Sequence, residues 1–375
     1  MGIGSLAKSD TSDFNTHGPS HLTTPDWTSP CYQTAVLACL VNGAYTMEKD
    51  RRIKQKKRYR FGFFKCPEPL ANLWWEKFGF DLEDTLYEDD GTIYGAVFKY
   101  KNYSFYKNDP GVKVPEYVIA FRGTVLNKKT WIADIKLGIQ CIFNTLHRGG
   151  RPTYALDKIR RMVDKHSDSK IWLAGHSSGA ALVLIAGKTM ASSGCFLESH
   201  AFNPPFSSIP YELLPGGKFI KHVFRTGKSV VKSAIAMFAK KPQDQEDKSK
   251  TALWIPHIYV NHNDPICLGY IHYLRHRSFM SKIGAGGIEI LAAGVSYASL
   301  LVGKVMRSPP PSKLSKEPLY VLPTAAMTVN NNKPTKSTPA HALHQWWEAN
   351  PAVRVNWESY RIRSHKMEKL KQLTL

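Results

Sequence analysis

With 375 residues, 43% hydrophobic and 11% aromatic, the chain can bury a sizeable core, which excludes global disorder. Its 51 Lys and Arg against 30 Asp and Glu leave a net charge of +21, a surface drawn to anionic membranes or polyanions. Six scattered cysteines without C-x-x-C spacing argue against a zinc site or a disulfide framework and fit a reducing compartment.

The opening segment, MGIGSLAKSD, lacks the apolar run of a signal peptide, and Leu6 stands where a myristoylation pattern asks for Ser or Thr. The expectation is a cytoplasmic protein, peripheral on a membrane at most. Residues 1–25 are polar and expected to be flexible, with a single domain over 26–375. Ser29 to Met47 reads as a largely buried helix that ends near the basic cluster Lys49 to Arg60, KDRRIKQKKRYR. That cluster reads first as a solvated helix end or loop, and second as a contact for anionic lipid. No zinc finger, RRM signature or arginine-glycine tract accompanies it, so no nucleic acid is expected as a partner.

Further along, a Trp-rich segment (Trp74, Trp75, Phe78, Phe80) precedes an alternating strand pattern over Tyr94–Tyr100. Apolar runs predict more strands at Tyr117–Phe121, Ile171–Ala174, Ser199–Phe202, His257–Val260 and Leu319–Leu322. Helical patterns fall at Tyr154–Val163, Gly179–Met190, Phe219–Phe238 and Ile288–Val305. Strands alternating with helices imply an α/β fold with a mostly parallel central sheet flanked by helices. Flexible segments are expected at Lys240–Lys250 and Arg307–Glu317. The apolar stretch Ile283 to Gly303 approaches the length of a bilayer span, but Glu289 and many small residues favour a buried helix. Phe219 to Lys241 has an apolar face opposite lysines and reads as a crossover helix before an interfacial one.

The most informative feature is Gly175-His176-Ser177-Ser178-Gly179, placed between a short apolar run and a small-residue helix. That strand–turn–helix context is what a nucleophile elbow requires, and it makes Ser177 the candidate nucleophile. A serine needs a base, usually a histidine held by a carboxylate, and in α/β-hydrolases these follow in the order Ser, acid, His. Asp264, in Asn-His-Asn-Asp-Pro after a strand, is the candidate acid. His176 sits at the variable position of the elbow and is expected to point away, while His272 and His276 follow Asp264 too closely. His341 and His344 come after the last expected strand; His341 is preferred and His344 is the alternative. For the oxyanion, Ser178 offers its backbone N–H, and Thr124, after the strand Tyr117–Phe121, offers its N–H and hydroxyl beside Gly123. No metal or organic cofactor is implied, since no ligand cluster or phosphate-binding glycine loop is evident.

The motifs YVIAFRGT (117–124), Trp131 to Asp134, LAGHSSGAA (173–181) and YVNHNDPI (259–266) together resemble the class 3, fungal-type lipases of the α/β-hydrolase fold. HGPSHLTTPDW (17–27), FNPPF (202–206), EPLYVLPTAAMTVN (317–330) and AHALHQWW (340–347) are similar to a plant subgroup labelled GDSL esterase/lipase-like, although no Gly-Asp-Ser-Leu block occurs. The resemblance implies hydrolysis of acyl-lipid esters by Ser177, Asp264 and His341, with Thr124 and Ser178 as oxyanion donors. Elbows of that family often carry leucine after the serine, where this chain has Ser178. A catalytically silent lipase-like scaffold with a binding or signalling role is the alternative.

Overall fold

Ser29 Oγ accepts the Tyr32 N–H at 3.3 Å and a proline takes the first helical position, so the first long helix, α1 (Pro30–Phe61), starts there. The computed structural model describes residues 22, 24–61, 73–124, 150–206, 250–282, 322–335, 339–347, 351–363 and 366–369. Ala35 to Val41 are buried without a break, as expected of a helix enclosed on all sides. The helix runs past the expected Met47 and takes in the basic cluster Lys49 to Arg60. Buried Glu48 accepts hydrogen bonds from Arg51, Arg52 and the Ile93 N–H, the last at 3.0 Å, which ties α1 to the sheet.

Among the described residues nine strands form one sheet in strict chain order. They are β1 (Phe80–Tyr87), β2 (Ile93–Tyr100), β3 (Tyr117–Phe121), β4 (Ile171–His176), β5 (Glu198–Phe202), β6 (His257–Asn261), β7 (Thr324–Asn330), β8 (Trp357–Arg363) and β9 (Lys366–Lys369). The five central strands, β3 to β7, run parallel, and antiparallel pairs flank them on both sides. Three more long helices connect them: α2 (Arg151–His166), α3 (Ser178–Ser192) and α4 (Leu268–Lys282).

Alternation along the strands sorts the core into two layers. Val118, Ala120, Trp172, Ala174, Phe202 and Tyr259 face α1, where Leu343 and Trp346 join the packing. Ile119, Phe121, Ile171 and Leu173 face α2 and α3 on the other side. Ala201, Ile258 and Val260 pack there against α3 and α4. The sheet is thus covered on both faces, as an α/β fold demands.

The structure departs from the sequence reading at several places. The last parallel strand is Thr324–Asn330 rather than Leu319–Leu322; Leu322 precedes it, buried, and 319–321 lie outside the described residues. Strands β1, β8 and β9 and helix α4 were not anticipated. Leu22, within the segment expected to be flexible, is only 2% exposed. The expected helices Phe219–Phe238 and Ile288–Val305, the apolar stretch 283–303 and the segments 131–134, 240–249 and 307–317 lie outside the described residues. Among the described residues no helix is long and apolar enough to cross a membrane.

Candidate active site

Between β4 and α3 the chain turns at Ser177, whose φ of 55° and ψ of −123° place a non-glycine residue in a strained backbone region. The turn is held because the Ser177 N–H donates to the Phe202 carbonyl at 2.9 Å and its own carbonyl accepts the Ala181 N–H. Glycine is required on both sides. A Cβ on Gly175 would lie 2.3 Å from the Gly179 carbonyl oxygen, and one on Gly179 would lie 2.3 Å from the Phe121 oxygen. Gly179→Ala is therefore expected to cost about 2–3 kcal/mol of stability in urea unfolding. A loss within experimental error would contradict this close approach of strand and helix.

Asp264 sits just after β6, fully buried, and its carboxylate is saturated with donors. Oδ2 accepts from Asn203 Nδ2 at 2.7 Å, His341 Nδ1 at 2.8 Å and the Cys267 thiol at 3.1 Å, while Oδ1 accepts the Ile266 N–H at 3.0 Å. Burial alone would raise its pKa; the His341 charge and the bonds from His341, Asn203 and Cys267 outweigh burial and hold it below the usual carboxylate value. The Asp264 contact fixes the proton of neutral His341 on Nδ1 and leaves the lone pair on Nε2. His344 instead packs its ring on Trp347, 6.1 Å between centroids.

The loop that carries His341 is held by three consecutive carbonyls. Ala340 O accepts from Asn203 Nδ2 at 3.2 Å and Gln345 Nε2 at 2.8 Å, and Ala342 O also accepts from Gln345 at 2.8 Å. His341 O accepts from His176 Nε2 at 2.9 Å. The expectation that His176 points away from the centre is thereby corrected. Its Nε2–H is committed to a carbonyl, so Nδ1 is the acceptor and takes the Tyr45 O–H at 2.8 Å. The Tyr45 oxygen in turn accepts the Gly123 N–H at 2.7 Å. One directed relay thus joins the loop after β3, the elbow and the His341 loop through a tyrosine of α1.

Thr124 also differs from expectation. Its backbone N–H donates to Ser178 Oγ at 2.8 Å, and the two hydroxyls lie 3.0 Å apart. Ser178 thus fastens the loop after β3 to the elbow and occupies the Thr124 N–H, so the hydroxyl is the Thr124 donor that remains as a candidate.

The comparisons with known proteins agree with this architecture. A family model described as "Lipase (class 3)" matches residues 118–205, from β3 through the elbow to the FNPPF segment. Across 354 residues the chain is 35% identical to a GDSL esterase/lipase of Arabidopsis thaliana, covering 90% of this chain and 95% of that protein. The chain belongs to this plant lipase family. No solved structure matches it.

In this lipase-family chain, sequence reading named Ser177, Asp264, His341, Thr124 and Ser178 as candidates but did not name the residues that contact them. Asn203 is fully buried at a φ of 46°, and besides its two donated bonds it accepts Trp346 Nε1 at 2.7 Å. The asparagine of FNPPF and the Gln-Trp of AHALHQWW were visible as motif letters, but nothing in the sequence says that they meet. Tyr45 carried no signal at all within its apolar helix.

Proposed function

We propose that the chain is a serine carboxylester hydrolase that cleaves acyl-lipid esters through an acyl-enzyme. The observation that carries this reading is the 2.8 Å bond from His341 Nδ1 to buried Asp264, beside the strained turn at Ser177. Ser177 Oγ attacks the ester carbonyl carbon while its proton passes to His341 Nε2. The negative charge that forms on the carbonyl oxygen is met by the Ser178 N–H, at the start of α3, and by the Thr124 hydroxyl. Collapse of the tetrahedral species breaks the ester C–O bond, and the leaving alcohol takes the proton from His341. Water then repeats the sequence on the acyl-enzyme, releases the fatty acid and restores Ser177. Asp264 stays ionised throughout and holds the imidazole in the required tautomer.

The test is labelling by a fluorophosphonate, which reacts only with an activated serine. Wild-type protein is expected to be labelled stoichiometrically, and Ser177→Ala not at all. A folded wild type that takes no label would overturn the hydrolase reading in favour of a non-catalytic scaffold.

A further inference from the structure

Towards the N-terminal ends of β5 and β6, away from the elbow, Glu198, His200 and His257 converge. His257 Nε2 lies 2.8 Å from Glu198 Oε1 and His200 Nε2 lies 3.7 Å from the same oxygen; all three potential ligand atoms fall within 4.8 Å of one another. His200 is 2% exposed and is sandwiched between Trp172 and His257, with ring centroids at 5.5 and 4.6 Å.

The hydrogen bonds behind His200 decide where its proton is. Thr34 Oγ1 donates to the Pro30 carbonyl at 2.8 Å, so at its 3.0 Å contact with Tyr259 it must accept the phenol proton. The Tyr259 oxygen, having given its proton to Thr34, must then accept from His200 Nδ1, 3.0 Å away. Neutral His200 is therefore protonated on Nδ1, and Nε2 carries a bare lone pair. That buried nitrogen has no hydrogen-bond partner and is directed towards a carboxylate. A lone pair facing an anion in a buried site is unfavourable unless a cation lies between them.

We propose that Glu198, His200 and His257 form a binding site for one zinc-class divalent cation that fastens β5 to β6. Two imidazoles and a carboxylate suit Zn²⁺, with a water completing the tetrahedron. Ligand atoms around tetrahedral zinc stand about 3.4 Å apart, a spacing that the 2.8 and 3.7 Å separations straddle. The two imidazoles are stacked within 5° of parallel, so closing on one ion takes a rotation of His257, whose side chain is 38% exposed. His200 is already oriented by Tyr259, as metal-binding histidines are oriented by the partner of their other nitrogen. The exposed Lys113 ammonium, 3.6 Å from the second Glu198 oxygen, is a competing cation that can swing away. No sequence motif marks the site, since His257 is distant in the chain from Glu198 and His200 and meets them through the β5–β6 pairing.

The experiment uses the full chain, stripped by dialysis against a chelator and titrated with Zn²⁺ alone. Wild type and Ser177→Ala are expected each to retain one tightly bound equivalent, with a raised melting temperature. His257→Ala and Glu198→Gln, both at partly exposed positions, are expected to bind at least tenfold more weakly and to lose the rise in melting temperature. The proposal is overturned if wild type retains no equivalent, or if both variants retain it unchanged. Retention by Ser177→Ala keeps this result independent of the esterase reading.

Discussion

His341→Ala is expected to lower kcat for a soluble ester by about 10⁴-fold or more, while His344→Ala stays within about threefold of wild type. The asymmetry follows from the Asp264 contact. A base must keep a lone pair towards the nucleophile while its other nitrogen is anchored, and it is His341 that donates to the buried carboxylate. His344 lies on the same short helical segment, Leu343–Trp347, but its ring rests on Trp347. Asp264→Asn is expected to approach the His341→Ala loss, since an amide can present its NH₂ to Nδ1 and so favour the wrong tautomer. The check is steady-state turnover with melting temperature measured in parallel. If the two histidine variants lose activity equally, the choice of base is wrong.

The second large effect concerns His176 and runs with pH. Burial first, and then the His341 charge, press its pKa down to about 3, against the partial compensation of its bond to the His341 carbonyl and of Asp264. The groups facing it are the Tyr45 hydroxyl from α1, the His341 imidazole at 4.9 Å between centroids, and Asp264 behind that ring. The unfolded chain binds a proton at this histidine below about pH 6.5, whereas the folded protein does not until about pH 3. Stability from this residue is therefore complete above pH 6.5 and falls by about 1.4 kcal/mol for each pH unit below it. Replacing it with glutamine breaks the relay and is expected to cost about 2–3 kcal/mol at pH 7.5. The same substitution should cost about 2 kcal/mol less at pH 5, because only the wild type carries the acid-sensitive group. Urea unfolding of both proteins at the two pH values measures this difference, and a penalty independent of pH would show that His176 is not held neutral.

How much of this was legible beforehand depended on the kind of residue. Strands β3 and β4 were found because they are buried on both faces and read as the apolar runs YVIAF and IWLAGH. The elbow was found because close backbone approach leaves only small residues beside Ser177. By contrast β1, FDLEDTLY, exposes much of its length and places acids where a strand pattern expects apolar residues. Helix α4 mixes His, Arg and Tyr among its apolar positions and shows little periodicity to the eye. For the last parallel strand the bulky LYVL attracted the assignment, whereas the strand itself, TAAMTVN, is built of small residues that fit beneath packed neighbours. Asp264 and His341 were singled out by order along the chain. Asn203, Gln345, Tyr45 and His176 were not, because their roles arise from contacts between distant segments and have no local pattern.

The relay from Tyr45 through His176 to His341 has a temporal meaning as well as a spatial one. Its links span 131 and 165 residues of chain, and the residue expected to act as base is made after the proposed nucleophile and acid. The sheet as far as β6, with its elbow and its strained serine, can be in place while the growing chain still has no base beside it. Such loop-closing contacts are also the slow ones to form. Under the proposed mechanism, a newly made molecule gains its base only when its late segment folds back onto the first helix.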